Sequence, residues 1–187
     1  MIDRDGTGLR RLTFNNLFER AAAWAPDGTK IAFAGRGPDG NFDIYTIDAD
    51  GSDLQRLTTD AARDDDPAWT ADGSRILYDR GLFTDTLSIR IVNADGTRDH
   101  ALNVGPGNNF APETSPHGDR IVFASDRAGT FDLYAASLSG APVRQITSGP
   151  AFDFDPAGLR TATTSRSCAT SAPATTISTW CTRTGPG

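Results

Sequence analysis

The sequence predicts an all-β fold, a β-propeller fragment of four-stranded antiparallel blades, and three observations carry that expectation. The first is a repeat. Trp24-Ala25-Pro26-Asp27-Gly28, followed by Ile31-Ala32-Phe33, returns as Trp69-Thr70-Ala71-Asp72-Gly73 with Ile76-Leu77-Tyr78. It returns again as Thr114-Ser115-Pro116-His117-Gly118 with Ile121-Val122-Phe123, 45 residues apart both times. The second is that two further anchors keep the same register: Asp50-Gly51, Asp95-Gly96 and Ser139-Gly140, then Leu12-Thr13, Leu57-Thr58, Leu102-Asn103 and Ile146-Thr147. A fixed period of this length marks a repeat architecture. The third is composition. With 19 Gly and 11 Pro among 187 residues, short apolar stretches are parted by turn dipeptides and helix-forming runs are scarce.

Each period reads as four short strands. A first strand runs around Trp24, and Pro26-Asp27-Gly28 closes a tight turn in which glycine supplies the positive φ. Lys30 to Ala34 alternates, with Ile31 and Phe33 on one face. The Gly-rich loop from Gly35 to Asn41 leads to a third strand, Asp43-Ile44-Tyr45-Thr46-Ile47. Asp50-Gly51 is a strong hairpin signal, and Leu54 to Thr58 forms the outer strand. One such sheet cannot bury both faces alone, so neighbouring blades stack around an axis. The register divides the chain into the end of a truncated blade (1–14), blades at 15–59, 60–104 and 105–148, and the start of a further blade (149–157).

Trp24, Pro26, Asp27, Gly28, Asp43, Ile44, Tyr45, Asp50, Gly51, Arg56, Leu57 and Thr58 together resemble the WD-repeat-like blade of the TolB propeller family. The resemblance covers roughly residues 3–157. Two departures stand out: Thr114 replaces the tryptophan, and Ser88-Ile89-Arg90 replaces Asp-Ile-Tyr. The same blade occurs in exported binding proteins and in the propeller of prolyl-oligopeptidase-like peptidases. The resemblance therefore implies a parent protein that is exported or periplasmic. No apolar signal-peptide core follows Met1 and no apolar run reaches membrane-spanning length, so the chain as given is expected in the cytoplasm, without membrane insertion.

After Ala157 the pattern stops. Asp155-Pro156-Ala157 announces a blade as Asp66-Pro67-Ala68 does, yet Gly158 stands where tryptophan is due. Restoring one base before the Gly158 codon lets Ser165, Ser167 and Cys168 become apolar, and Thr161-Ala162 become Asp-Gly. Ile177-Ser178-Thr179 then permits Asp-Leu-Tyr, and the single tryptophan codon at Trp180 forces valine at position 181. Residues 158–187 therefore read as a frameshifted, non-native tail, which sets aside Cys168 and Cys181 as a disulfide pair. At the other end Asp5-Gly6 and Arg11-Leu12-Thr13 read as the close of a blade whose first strands are absent.

A net charge of −6, with no basic run, argues against nucleic acid as partner. No Gly-x-Ser-x-Gly nucleophile elbow occurs. His100 and His117 lack the ligand company that a metal site requires, and Ser115 beside His117 is turn chemistry. Asp48-x-Asp50-Gly51-x-Asp53 has its glycine too early for an EF-hand. The repetition of Trp24, Trp69, Tyr45 and Tyr134 marks them as blade-core positions.

The carboxylates Asp64, Asp65 and Asp66, with Asp153 and Asp155, precede first strands and are expected in loops at one mouth of the central channel. A ring of acids there suits a cation or a basic peptide segment, against the plainer reading of a solvated acidic loop. These features point to a non-catalytic scaffold for a protein or peptide partner, without a cofactor or metal. The competing expectations are the propeller portion of a prolyl-oligopeptidase-like serine peptidase and a carbohydrate-active propeller.

Overall fold

The computed structural model describes residues 1–2, 5–82, 86–158 and 180–182. Its first sheet contains β1 (Phe18–Trp24), β2 (Lys30–Arg36), β3 (Phe42–Asp48) and β4 (Gln55–Arg56). The second contains β5 (Asp64–Trp69), β6 (Arg75–Arg80), β7 (Ser88–Asn93) and β8 (His100–Ala101). The third contains β9 (Asn109–Thr114), β10 (Arg120–Ser125), β11 (Asp132–Ser137) and β12 (Val143–Gln145). In each four-stranded sheet the spatial order follows the chain order, and every pairing is antiparallel. Beyond them β13 (Pro156–Gly158) pairs with β14 (Trp180–Thr182). The described residues contain no helix. The rest of the frameshift reading, at 159–179 and 183–187, lies outside the described residues.

The Asp-Gly turns fold locally. Asp50 accepts the Ser52 amide at 2.8 Å and Asp95 accepts the Thr97 amide at 2.9 Å, so each aspartate closes its own turn. The Leu-Thr anchor has a hydrogen-bonding reason. The outer strand is shorter than the Leu54–Thr58 run expected from sequence, because β4 pairs only through Gln55 and Arg56. The hydroxyl of Thr58 then accepts the Ile44 amide at 2.9 Å, and Thr147 accepts that of Leu133 at 2.9 Å. The side chain thus extends a ladder that the backbone leaves short.

Strand alternation sorts apolar side chains onto both faces of every blade. The trailing face of blade one (Ala32, Ala34, Phe42, Ile44) meets the leading face of blade two (Trp69, Ile76, Tyr78, Val92). Leu77, Ile89 and Ile91 on the reverse of blade two meet Ile121, Phe123, Tyr134 and Ala136 of blade three. Small residues oppose large ones, as dense packing requires. Tyr78 and Phe123 lose all solvent exposure, a burial that contributes roughly 1.5–3 kcal/mol for a side chain such as Phe. Trp69, Tyr45 and Tyr134 are buried as the repeat predicts. Trp24 is not: 45% of it stays exposed. Trp69 donates its indole N–H to the Ala23 carbonyl of the preceding blade at 3.2 Å. Trp24 heads the first sheet, whose leading face packs against Leu12 and Leu17 instead of a full blade.

A backbone interlock joins consecutive blades. A side-chain carbon on Gly51 would lie 2.9 Å from the Leu12 carbonyl oxygen, and one on Gly140 only 2.7 Å from that of Asn103. Gly51 and Gly140 are therefore required by the segment that closes the blade before them, as well as by their own positive φ, while Gly96 sits more loosely at 3.4 Å from the Leu57 carbonyl. Gly140→Ala is expected to destabilise by about 2–4 kcal/mol, combining left-handed backbone cost and overpacking. Gly28→Ala has a comparable φ of 73° and nothing within 4 Å, so it should cost only about 1–2 kcal/mol. Urea unfolding of the two variants measures the difference.

Candidate functional site

The first strands β1, β5 and β9 run side by side, with β13 next to β9, around a common axis. Each of β1, β5 and β9 is broken at the same place by a β-bulge, where the register slips between Arg20 and Ala23, between Asp65 and Ala68, and opposite Val122 to Ala124. The bulged residue is left-handed: Ala21 at φ 51°, Asp66 at 47°, Ala111 at 47°, and Asp155, ahead of β13, at 55°. Non-glycine residues are held in that region only where the surroundings over-determine them. Here a proline follows three of the four, and bulges re-aim side chains away from the ladder. All four residues line one cavity of about 160 Å³ on the axis. A larger cavity of about 640 Å³ shares Ala22, Ala23 and Glu113 with it and extends between Trp24 and Trp69.

The five acids expected at a channel mouth divide into distinct roles. Asp64, Asp65 and Asp66 belong to β5 and not to the loop before it, because the strand starts earlier than the Trp69 pattern indicates. Asp64 is wholly buried and receives Arg80 in a two-point salt bridge, Nε to Oδ1 at 2.6 Å and Nη2 to Oδ2 at 2.8 Å. Burial pushes its carboxyl upward, and the hydrogen bonds from Arg80 oppose that push. Asp65 is buried between Arg63, at 2.7 Å, and Arg20 of blade one, and it also accepts the amide of the bulged Asp66. These two acids are structural. Asp153 is tied through its amide to the Phe131 carbonyl at 2.8 Å and does not line the axial cavity. Asp66 and Asp155 are the pair brought together there. Burial raises the Asp66 carboxyl, Arg20 lowers it, and the charge of Asp155 adds to the rise.

One acid of this region was not singled out from sequence. Asp79 of β6 is buried and accepts the Ala111 amide, the N–H freed by the bulge of the next blade, at 3.0 Å. Its carboxyl is pushed up to about 8, first by burial and then by the charge of Asp66. The repeat carried the signal, since Ala34 and Ala124 occupy the same position in the other blades. The remaining sequence candidates are accounted for locally. Ser115 donates to Asp119 at 2.9 Å within its turn, and His100 and His117 are exposed. Asp48 and Asp53 hold Lys30, at 2.5 and 3.0 Å. Among the described residues no three His, Cys, Asp or Glu side chains gather in a way that would hold a metal ion.

No protein-family model and no curated protein matches this chain. Solved structures do. The TolB structure from Agrobacterium tumefaciens aligns at 26% identity and a TM-score of 0.65, over 73% of this chain and 48% of its own. TolB from Acinetobacter baumannii aligns at 20% identity and a TM-score of 0.70, over 82% of this chain and 38% of its own. The chain is a run of TolB-like propeller blades. It spans half or less of the length of the TolB structures it matches. A puromycin-hydrolysing peptidase of Mycobacterium tuberculosis also shares the fold, at 18% identity and a TM-score of 0.56, over 71% of this chain and 24% of its own. In the TolB-like blades, as in any propeller, the shared fold positions the axial cavity and does not choose its ligand.

Two outcomes test this electrostatic layout. Arg80→Met should destabilise by about 3–5 kcal/mol by leaving Asp64 charged and buried, and adding Asp64→Leu should recover much of that loss. Asp79 retains a proton in the folded state that it releases on unfolding across roughly pH 4 to 8, so its contribution to stability declines as pH rises through that window. Asp79→Asn removes that slope. Its stability relative to wild type should grow by at least about 1 kcal/mol between pH 5 and 8 in urea titrations.

Proposed function

We propose that these blades form part of a non-catalytic scaffold that binds a basic protein or peptide segment at the acidic end of its axial channel. The observation that carries the reading is the convergence of Asp66 and Asp155 on one axial cavity, at left-handed positions repeated from blade to blade. Asp64 and Asp65 are neutralised by arginines, which leaves this pair to face a ligand. A cavity of about 160 Å³ has room for a side chain or a peptide tip, and a lysine or arginine complements its charge.

The TolB likeness supports a scaffold over a peptidase propeller, since the TolB from Agrobacterium tumefaciens exceeds the peptidase in identity, 26% against 18%, and in TM-score, 0.65 against 0.56. The same likeness supports an exported, periplasmic parent. No helix among the described residues is long and apolar enough to cross a membrane.

Fluorescence anisotropy with labelled hexalysine tests the channel. The D66N/D155N variant should bind it at least about tenfold more weakly, a loss of about 1.4 kcal/mol. Equal binding by wild type and variant would overturn the assignment. The purified chain should also leave peptide substrates intact, and hydrolysis that copurifies with it to constant specific activity would remove the non-catalytic part of the reading.

A further inference from the structure

Blade one carries an ion triad at its rim. Lys30 of β2 lies opposite Asp48 of β3 and reaches both Asp48, at 2.5 Å, and Asp53, at 3.0 Å, while Gln55 donates to Asp53 at 2.9 Å. The repeat places Arg75, Asn93, Arg98 and His100 at these four positions in blade two, each 45 residues on. The backbone is the same. Arg75 lies opposite Asn93, and Arg98 is left-handed at φ 57° where Asp53 has 51°. The chemistry is reversed. The cation remains, one carboxylate has become an amide, and the other has become a second cation.

The exchange removes both carboxylates that hold the cation in blade one, and Asp72 and Asp95 act on Arg75 and Arg98 through space without a close ion pair. Among the described residues neither Arg75 nor Arg98 has a carboxylate within salt-bridge distance, whereas Arg80 and Arg90 of the same blade both do. The nearby carboxylates are engaged in their own turns, Asp72 with Thr70 and Ser74, and Asp95 with Thr97. Asn93 donates to Thr97 at 2.9 Å, and His100 donates its Nδ1–H to the Arg98 carbonyl at 2.8 Å, which fixes the ring as part of the cavity wall. Arg75, Asn93, Arg98 and His100 line one rim cavity of about 390 Å³. Blade three does not repeat the arrangement, since Arg120 faces Ser137 and lies 3.6 Å from Asp119.

We propose that this cavity is a carboxylate-binding site, and that its ligand is an acidic side chain presented by a partner peptide or protein. The ligand carboxylate takes the place that Asp48 and Asp53 fill in blade one. Two arginine forks suit a planar, two-oxygen anion. The site lies at the rim of blade two and is separate from the axial pair Asp66 and Asp155. It adds a second contact of opposite charge preference to the scaffold reading, on which its peptide ligand rests.

Labelled hexaglutamate is the probe, read by fluorescence anisotropy at low salt. The N93D/R98D variant rebuilds the blade-one triad inside blade two and should fold like wild type by circular dichroism. It should bind the peptide at least tenfold more weakly, and Arg98→Gln should fall between the two. The D66N/D155N variant should bind hexaglutamate as wild type does, so failure of the channel and failure of the rim read out separately. Equal affinity of wild type and N93D/R98D, or no binding by wild type, would overturn the site. Free glutarate competing as well as the peptide, molecule for molecule, would overturn the peptide ligand.

Discussion

A four-stranded sheet with apolar side chains on both faces has nowhere to bury the second face except against another copy of itself. Every blade here is built that way, with Leu77 and Ile91 on one side of blade two and Ile76, Tyr78 and Val92 on the other. Stacking is therefore the condition for each sheet and not an addition to it. The interlock of turn glycine with the preceding Leu-Thr segment, and the hydrogen bond from Trp69 to Ala23, repeat that dependence in the backbone. Trp24 shows the converse: the same residue in the same register stays half in solvent where Leu12 and Leu17 pack on the sheet in place of a full blade face.

Stacking around an axis brings the first strands together, and their crowding explains the polar chemistry of the centre. Bulges free backbone amides that the ladder no longer satisfies. Buried acids answer them, Asp65 for its neighbour Asp66 and Asp79 for Ala111 across the blade boundary. Arginines in turn neutralise Asp64 and Asp65, with Arg20 reaching from one blade to the next while its guanidinium stacks 4.8 Å over Phe42. Among the described residues Asp66 and Asp155 enter no close ion pair, and they line the axial cavity together with Glu113.

Repetition supplies the internal control for reading function. A position that holds the same residue in every blade answers to packing, and one that changes chemistry while the backbone stays fixed answers to something else. Asp79 in a series of alanines is one such departure, and Arg98 in the place of Asp53 is another. Arginine tolerates a left-handed backbone less well than aspartate, so its presence there is not explained by local conformation.

The period, the strand count per blade, the turns and the inward apolar positions were legible in the sequence, because alternation and turn chemistry are local properties of the chain. The axial placement of Asp66 and Asp155 was legible in part, through the shared Asp-Pro-Ala pattern. Tertiary structure alone decided that Asp64 and Asp65 turn to arginines, since Arg80 and Arg20 lie 16 and 45 residues away. It also decided that Arg75 and Arg98 line one cavity in a chain that shows no basic run. Charge density along a sequence measures neighbours along the chain. A β-sheet makes neighbours across strands, and only the folded register says which charges meet.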